Sequence, residues 1–316
     1  MAAAPTTPAV EACERFLRAA VGDRIRRDEP IGLRTTYRVG GAAALFLEAT
    51  SEGELRAARD AVVASGVPVL VVGKGSNLLV ADQGFAGLAV ALGEDFAGID
   101  IDGTTVRAGG AAALPVVARR TVAAGLTGFE WAVGVPGSVG GAVRMNAGGH
   151  GADLAESLRS IRVIDLAGGE DGAVAAARLE LGYRHSNLAA SSVVLEATLG
   201  LDPGDRHAGE ATLAEIVRWR RDNQPGGPNA GSVFTNPLGD SAGRLVESAG
   251  AKGLRLGTAE VSTKHANFIQ ADAGGRADDV LALMFEVRRR VRDAHGVDLH
   301  PETVLVGFNP QPEVEG

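Results

Sequence analysis

The sequence predicts an α+β protein made of two α/β or α+β modules followed by a smaller α+β module. Three observations lead there. The first hundred residues alternate strand and helix, the middle is strand-rich and punctuated by glycine, and the last hundred carry two long amphipathic helices. At 316 residues the chain is too long for one small core.

The elements follow in order. Residues 1–10, of Ala, Pro and Thr, read as loose, and EACERFLRAAV as a short helix. ALFLEAT (44–50) has strand character. EGELRAARDAVVASG (52–66) spaces Leu55, Ala58 and Val62 as a helix does and stops at Gly66. VPVLVVG (67–73) reads as a buried strand, which completes a right-handed strand–helix–strand unit. GLAVAL, TVRAGG, LRSIRVIDLAGG and SSVVLEATLGL supply further strands, and LPVVARRTVAAGL a helix. DPGDRHAGE (202–210) is the best linker candidate. Beyond it, ATLAEIVRWRRDNQ places Leu213, Ile216, Val217 and Arg220 on one side of a helix. DDVLALMFEVRRRVRDAHG (278–296) turns Val280, Leu283, Met284, Val287 and Val291 inward, and ETVLVGF closes the chain as a strand.

Composition excludes several classes. A net charge of −8 argues against nucleic acid as partner, which needs a basic stripe. The one dense basic run, RRRVR (288–292), falls late in a helix, where it suits the dipole. The lone Cys13 permits no intrachain disulfide or cysteine-based zinc site, and the six histidines show no His-x-x-x-His pair, so no metal is expected. No signal pattern and no apolar run of membrane length is present, so a cytoplasmic chain off the membrane is expected.

Two glycine loops invite a phosphate reading. VVGKGSNLLV (71–80) fails the Walker A pattern, because Gly75 follows Lys74, and the dinucleotide pattern, because position 78 is leucine. Its glycines still allow backbone amides to approach an anion, with Ser76 and Asn77 as polar partners, and a tight turn explains them as well. GVPGSVGGAVRMNAGGHG (134–151) has seven glycines in eighteen residues and apolar elements on both sides. It reads equally as a cofactor cradle or as structural turns. Among polar residues, Tyr183 and Arg184 end the β-region, Ser232 sits in a loop, Lys264 and His265 precede a strand-like run, and Glu302 stands at the mouth of the last strand. An arginine can grip a carboxylate or phosphate with two parallel bonds, and a desolvated serine can deliver a proton. Taken singly, each is better explained as a surface, turn or loop residue. No nucleophile elbow or zinc-protease motif points to a hydrolase.

Eight motifs in order, TTYRVGGAA, VGKGSNLLV, GFEWAVGVPGSVGGAVRMNAGG, GYRHS, PNAGSVFTNP, AGRLVESAGAKG, VSTKHANFI and HPETVLVG, run from about residue 34 to 307. With them the sequence resembles the UDP-N-acetylenolpyruvoylglucosamine reductases, also called UDP-N-acetylmuramate dehydrogenases. The resemblance implies a two-module FAD-binding region of the vanillyl-alcohol-oxidase or PCMH type, plus a smaller C-terminal α+β substrate domain. The expected division is an N-terminal segment 1–33, an FAD region 34–203 split near 95, and a substrate domain 204–316. It implies non-covalent FAD on Gly73, Lys74, Gly75, Ser76, Asn77, Leu78, Pro136, Gly137, Ser138, Gly141, Asn146 and Gly151. It further implies NADPH as co-substrate and a UDP-sugar substrate, and no obligatory protein partner is inferred. In the implied reaction a hydride passes from NADPH to flavin N5 and on to C3 of the enolpyruvyl group. Arg184 would steady the charge spreading from C2, Glu302 would act beside it, and Ser232 would protonate C2. Tyr183, Asn236 and His265 would line the substrate site.

Two departures stand out. His150 replaces a frequent tyrosine, and Val304 stands where long-form members have arginine. The short segment before RRDNQP also fits a compact subclass. The other readings are a related FAD oxidoreductase with a different small substrate, and a non-catalytic flavin-binding paralogue.

Overall fold

The computed structural model describes residues 4–308. The expected loose segment 1–10 is described only from Ala4, and 309–316 of the expected last domain lie outside the described residues.

The first module is a four-stranded sheet in the order Arg26–Glu29, Ala43–Ala49, Phe85–Leu92, Val69–Val72. Its first pair is antiparallel and the other two are parallel. The crossover helix Glu52–Ser65 is fixed at both ends. Ser51 accepts from Glu54 N at 3.4 Å, and Gly66 takes the left-handed conformation at φ 66°. Its Leu55, Ala58 and Val62 are buried, as the spacing predicts. Residues 4–10 are better ordered than their composition suggests. Ala4 is buried, and the helix Pro8–Val21 starts at the Thr7 cap, burying Val10, Cys13 and Leu17. The N-terminal segment therefore adds a helix and an edge strand to the first module. The strand Val69–Val72 is only partly buried, because one side of it faces a cavity.

The second module is a five-stranded antiparallel sheet ordered Asp171–Ala175, Leu158–Asp165, Ser192–Gly200, Thr105–Gly109, Ile99–Asp102. Helix Leu114–Ala123 covers it. The residues read as a linker, 202–210, are not a spacer. Asp202–Pro203 pairs with Leu126–Thr127, and Asp205 caps helix Arg206–Asn223 by accepting from Ala208 N at 2.8 Å. That helix sends Leu213 and Ile216 into the core of the second module, whereas Val217, expected inward, stays exposed.

The third module packs helices Ala242–Ser248 and Ala277–His295 on a three-stranded sheet, Arg255–Leu256, Ala259–Val261 and Ile269–Ala271. All five residues expected inward on the last helix are buried, and Gly296 closes it at φ 68°. In the basic run, Arg289 and Arg290 pair with Glu286, and Arg292 with Asp298. The core of this module borrows Tyr37, Val39, Leu79 and Ala81 from the first. Strand Val304–Val306 runs parallel to Leu78–Val80. Asp82 caps the helix Ala277–His295 from outside, accepting from Ala277 N at 3.0 Å and Asp278 N at 3.2 Å. Among the described residues, no helix is long and apolar enough to cross a membrane.

Candidate active site

The two glycine loops face each other. A Cβ on Gly73 would lie 2.7 Å from Ser138 Oγ, and one on Gly137 would lie 3.6 Å from Ser76 Oγ. Gly75, at φ 63°, passes so close to Arg34 that a Cβ would sit 2.6 Å from its carbonyl oxygen. Both the space and the φ demand glycine there.

Between the loops run two adjoining cavities, of about 310 and 200 Å³. Their shared wall includes Gly73, Lys74, Leu78, Ser138, Gly141 and Arg144. The smaller is largely apolar, walled by Leu70, Leu92, Val193 and Val194. The larger holds Arg184, Ser232 and Glu302. Of the residues expected at the cofactor, Gly73, Lys74, Gly75, Ser76, Asn77, Leu78, Pro136, Gly137, Ser138 and Gly141 line this groove.

Asn146 and Gly151 do not line it. The Asn146 amide is buried beneath it, donating to Asp153 at 3.1 Å and to the Gly182 carbonyl at 2.9 Å while accepting from Ala155 N. Gly151 and His150 form the tip of a hairpin in which Gly148–Gly149 pairs with Ala152–Asp153. Their φ values of 89° and 56° are those a two-residue type I′ turn requires.

Arg184 sits in a turn closed by reciprocal bonds between Gly182 and His185, at φ 55°. A non-glycine residue held there stores about 1–2 kcal/mol of backbone strain. Its Nη2 donates to the Gly148 carbonyl at 3.1 Å. Its Nε lies 2.8 Å from Glu302 Oε1, although that N–H does not aim at the oxygen. Burial pushes the Glu302 carboxyl above the ordinary range, and Arg184 partly offsets this.

Glu302 is tied to both neighbours. Its N–H donates to the Val233 carbonyl at 2.7 Å, and its carbonyl accepts from Asn77 Nδ2 at 2.9 Å. Ser232 precedes a clamped segment. Asn267, almost fully buried, accepts from Phe234 N at 3.0 Å through its side chain, donates back to Phe234 O at 2.8 Å, and takes Val233 N on its own carbonyl. Sequence reading missed Asn267, although it lies inside VSTKHANFI. A lone asparagine among apolar residues was the available signal. It also missed Arg144, and Arg220 as a groove residue.

Tyr183, Asn236 and His265 are off the cavity walls. Tyr183 is 59% exposed, with the Arg184 guanidinium 5.2 Å from its ring. Asn236 Oδ1 accepts from Ala242 N at the start of a helix. His265 packs 4.9 Å from Phe268, itself a groove residue, and burial lowers its pKa.

Lys74, Arg144, Arg184 and Arg220 line the groove against one carboxylate, Glu302. In a chain of net charge −8 this concentrates positive potential where an anionic ligand would sit. Opposed glycine loops, an apolar inner cavity and an excess of cations fit FAD: a flat ring system at each end and a diphosphate between. Fold and groove thus define a protein of the flavin-dependent oxidoreductase class. Residues 43–170 match the FAD binding domain model, and 223–306 match the model for the C-terminal domain of UDP-N-acetylenolpyruvoylglucosamine reductase. A reductase of that name from Symbiobacterium thermophilum is 42% identical, over 93% of this chain and 96% of that one. Another, from Heliobacterium modesticaldum, is 43% identical over 89% and 90%. The crystal structure of the Thermus caldophilus reductase superposes with a TM-score of 0.76 at 35% identity, over 90% of this chain and 99% of that one. The chain belongs to the UDP-N-acetylenolpyruvoylglucosamine reductase family.

Proposed function

We propose that the protein reduces the enolpyruvyl group of UDP-N-acetylglucosamine enolpyruvate to UDP-N-acetylmuramate, in the cytoplasm, as a step of peptidoglycan precursor synthesis. The observation that carries this reading is that Arg184, Ser232 and Glu302, from three separate chain segments, line the same cavity. Bound FAD supplies the hydride carrier between NADPH and C3 of the enolpyruvyl group. The protein's part is electrostatic and proton-handling. Hydride arrival at C3 leaves an electron pair at C2 that spreads into the adjoining carboxylate. Arg184, fixed by its strained turn and by Gly148, offers a preorganised cation for that charge. Ser232 supplies the proton that C2 takes. Glu302, desolvated and beside Arg184, holds the guanidinium in register and takes part in the proton balance. Tyr183, Asn236 and His265 are proposed to contact substrate from the rim.

A related FAD oxidoreductase with another substrate would need the two flavin modules only. The clamp of Asn267 and Glu302 on Val233 and Phe234, directly after Ser232 and built by the third module, speaks against it. The test is a purified protein with a flavin spectrum, assayed for NADPH oxidation with and without UDP-N-acetylglucosamine enolpyruvate. A colourless protein that takes up no FAD, or flavin without substrate-dependent turnover, overturns the reading.

A further inference from the structure

We infer that Arg144 is the residue that makes the groove select a flavin carrying a diphosphate over the bare flavin, with Lys74 as its neighbour in charge. The inference rests on the FAD reading above and goes beyond it, since the glycine loops by themselves offer only neutral backbone amides. Arg144 and Lys74 are the two cations common to both cavities, so they stand at the waist of the groove. An elongated ligand with a ring system in each cavity must place its connecting segment there. Among the described residues, no carboxylate lies within ion-pair distance of either one, whereas most arginines on this protein are paired. Among the described residues the Arg144 side chain has one hydrogen-bond partner, donating through Nη1 to the Leu188 carbonyl. Most of its five N–H donors remain for a ligand. That anchor fixes the guanidinium instead of letting it reach for solvent, and Ser186 Oγ, donating to the Arg144 carbonyl at 2.7 Å, holds the backbone beneath it. Partial burial also disfavours the charged form, a cost that a bound anion would offset. An arginine held this way suits phosphate oxygens by geometry as well as charge.

The test uses apoprotein stripped of flavin, with binding of FAD and of riboflavin followed by flavin fluorescence at low and high salt. Arg144→Met should weaken FAD about tenfold or more, the worth of one charge-assisted bond to an anion. It should flatten the salt dependence of FAD affinity and leave riboflavin within about twofold. Arg144→Lys, which keeps the charge, should recover much of the loss and its salt dependence. Equal loss of FAD and riboflavin by Arg144→Met would mark a structural residue and overturn the inference, as would unchanged FAD affinity. If Arg144→Met unfolds by circular dichroism, Arg144→Lys and Lys74→Met carry the same comparison, and a salt dependence identical to wild type in both overturns it. Wild-type protein that binds no FAD at all is a different result, and overturns the proposed function.

Discussion

The side-chain amide of Asn77, in the first glycine loop, donates to the backbone carbonyl of Glu302 at 2.9 Å, 225 residues away. The carbonyl of Asn77 in turn accepts from Val304 N at 3.0 Å. A residue expected to hold cofactor thus also sets the carboxylate expected to work on substrate. Asn77→Ala leaves the Glu302 carbonyl short of a partner and should cost about 1–2 kcal/mol of stability in a denaturant titration. It should slow substrate reduction more than flavin reduction by NADPH. Equal slowing of both half-reactions would show that the bond does not position Glu302.

Ser232→Ala separates proton delivery from hydride supply. Rapid-reaction measurements should find flavin reduction by NADPH nearly intact and substrate reduction slower by about 10²-fold or more, the usual worth of a positioned proton donor. Equal loss in both half-reactions would contradict the role.

The pH behaviour of Glu302 follows from its burial. Its folded pKa is raised, so its protonated form is favoured in the folded state. The sign is then fixed. This group's contribution to stability is fully present below the unfolded pKa and is lost as pH rises through the higher folded value. Arg184 works against the rise, so Arg184→Met should push the Glu302 titration higher still, as read from carbon-13 carboxyl shifts. Glu302→Gln should flatten the stability profile across that window. A downward move in Arg184→Met would mean that the ion pair does not govern the site.

Much of this was legible in the sequence, and the rest was hidden for physical reasons. Helix Ala277–His295 could be read because one face is apolar at helical spacing and Gly296 ends it. Arg184, Ser232 and Glu302 could be named only through motif order, since nothing local distinguishes them from surface residues. The segment 202–210 misled because proline, glycine and aspartate serve a helix cap as readily as a linker. The debts between modules were invisible. Tyr37 lies in a core built mostly from residues beyond 229, and Asp82 caps a helix almost two hundred residues on. Contacts of that range leave no periodic trace. The loop 134–151 resolves into two uses: residues 134–145 bring backbone to the groove, and 148–153 form a hairpin that braces Arg184.

Asp82→Ala tests the docking of the third module on the first. Loss of an N-cap costs about 1 kcal/mol, within a range of about 0.5–2. Because this cap crosses between modules, the loss should appear in global unfolding, and hydrogen exchange at the first turn of Ala277–His295 should rise with it. Unchanged exchange there would mean that the helix end finds water as a full substitute acceptor.

His150 stands at the tip of the hairpin that braces Arg184, and its surroundings predict how it titrates. The imidazole stands edge-on to Trp219, with ring centres 5.1 Å apart. Desolvation lowers its pKa first, and Arg220 lowers it further against a smaller opposing pull from Glu215. The ring should therefore titrate below 6.5, its unperturbed value, in a proton NMR titration. A depressed pKa means that the unfolded chain binds the proton more readily. The contribution to stability is present above the unfolded pKa and is lost as pH falls through the folded one. His150→Tyr keeps an aromatic edge against Trp219 and removes the charge. It should abolish this acid-side loss, as read from denaturant titrations carried down through the acid range. Titration of His150 above 6.5 would show instead that Glu215 dominates, and the predicted acid-side loss would reverse sign.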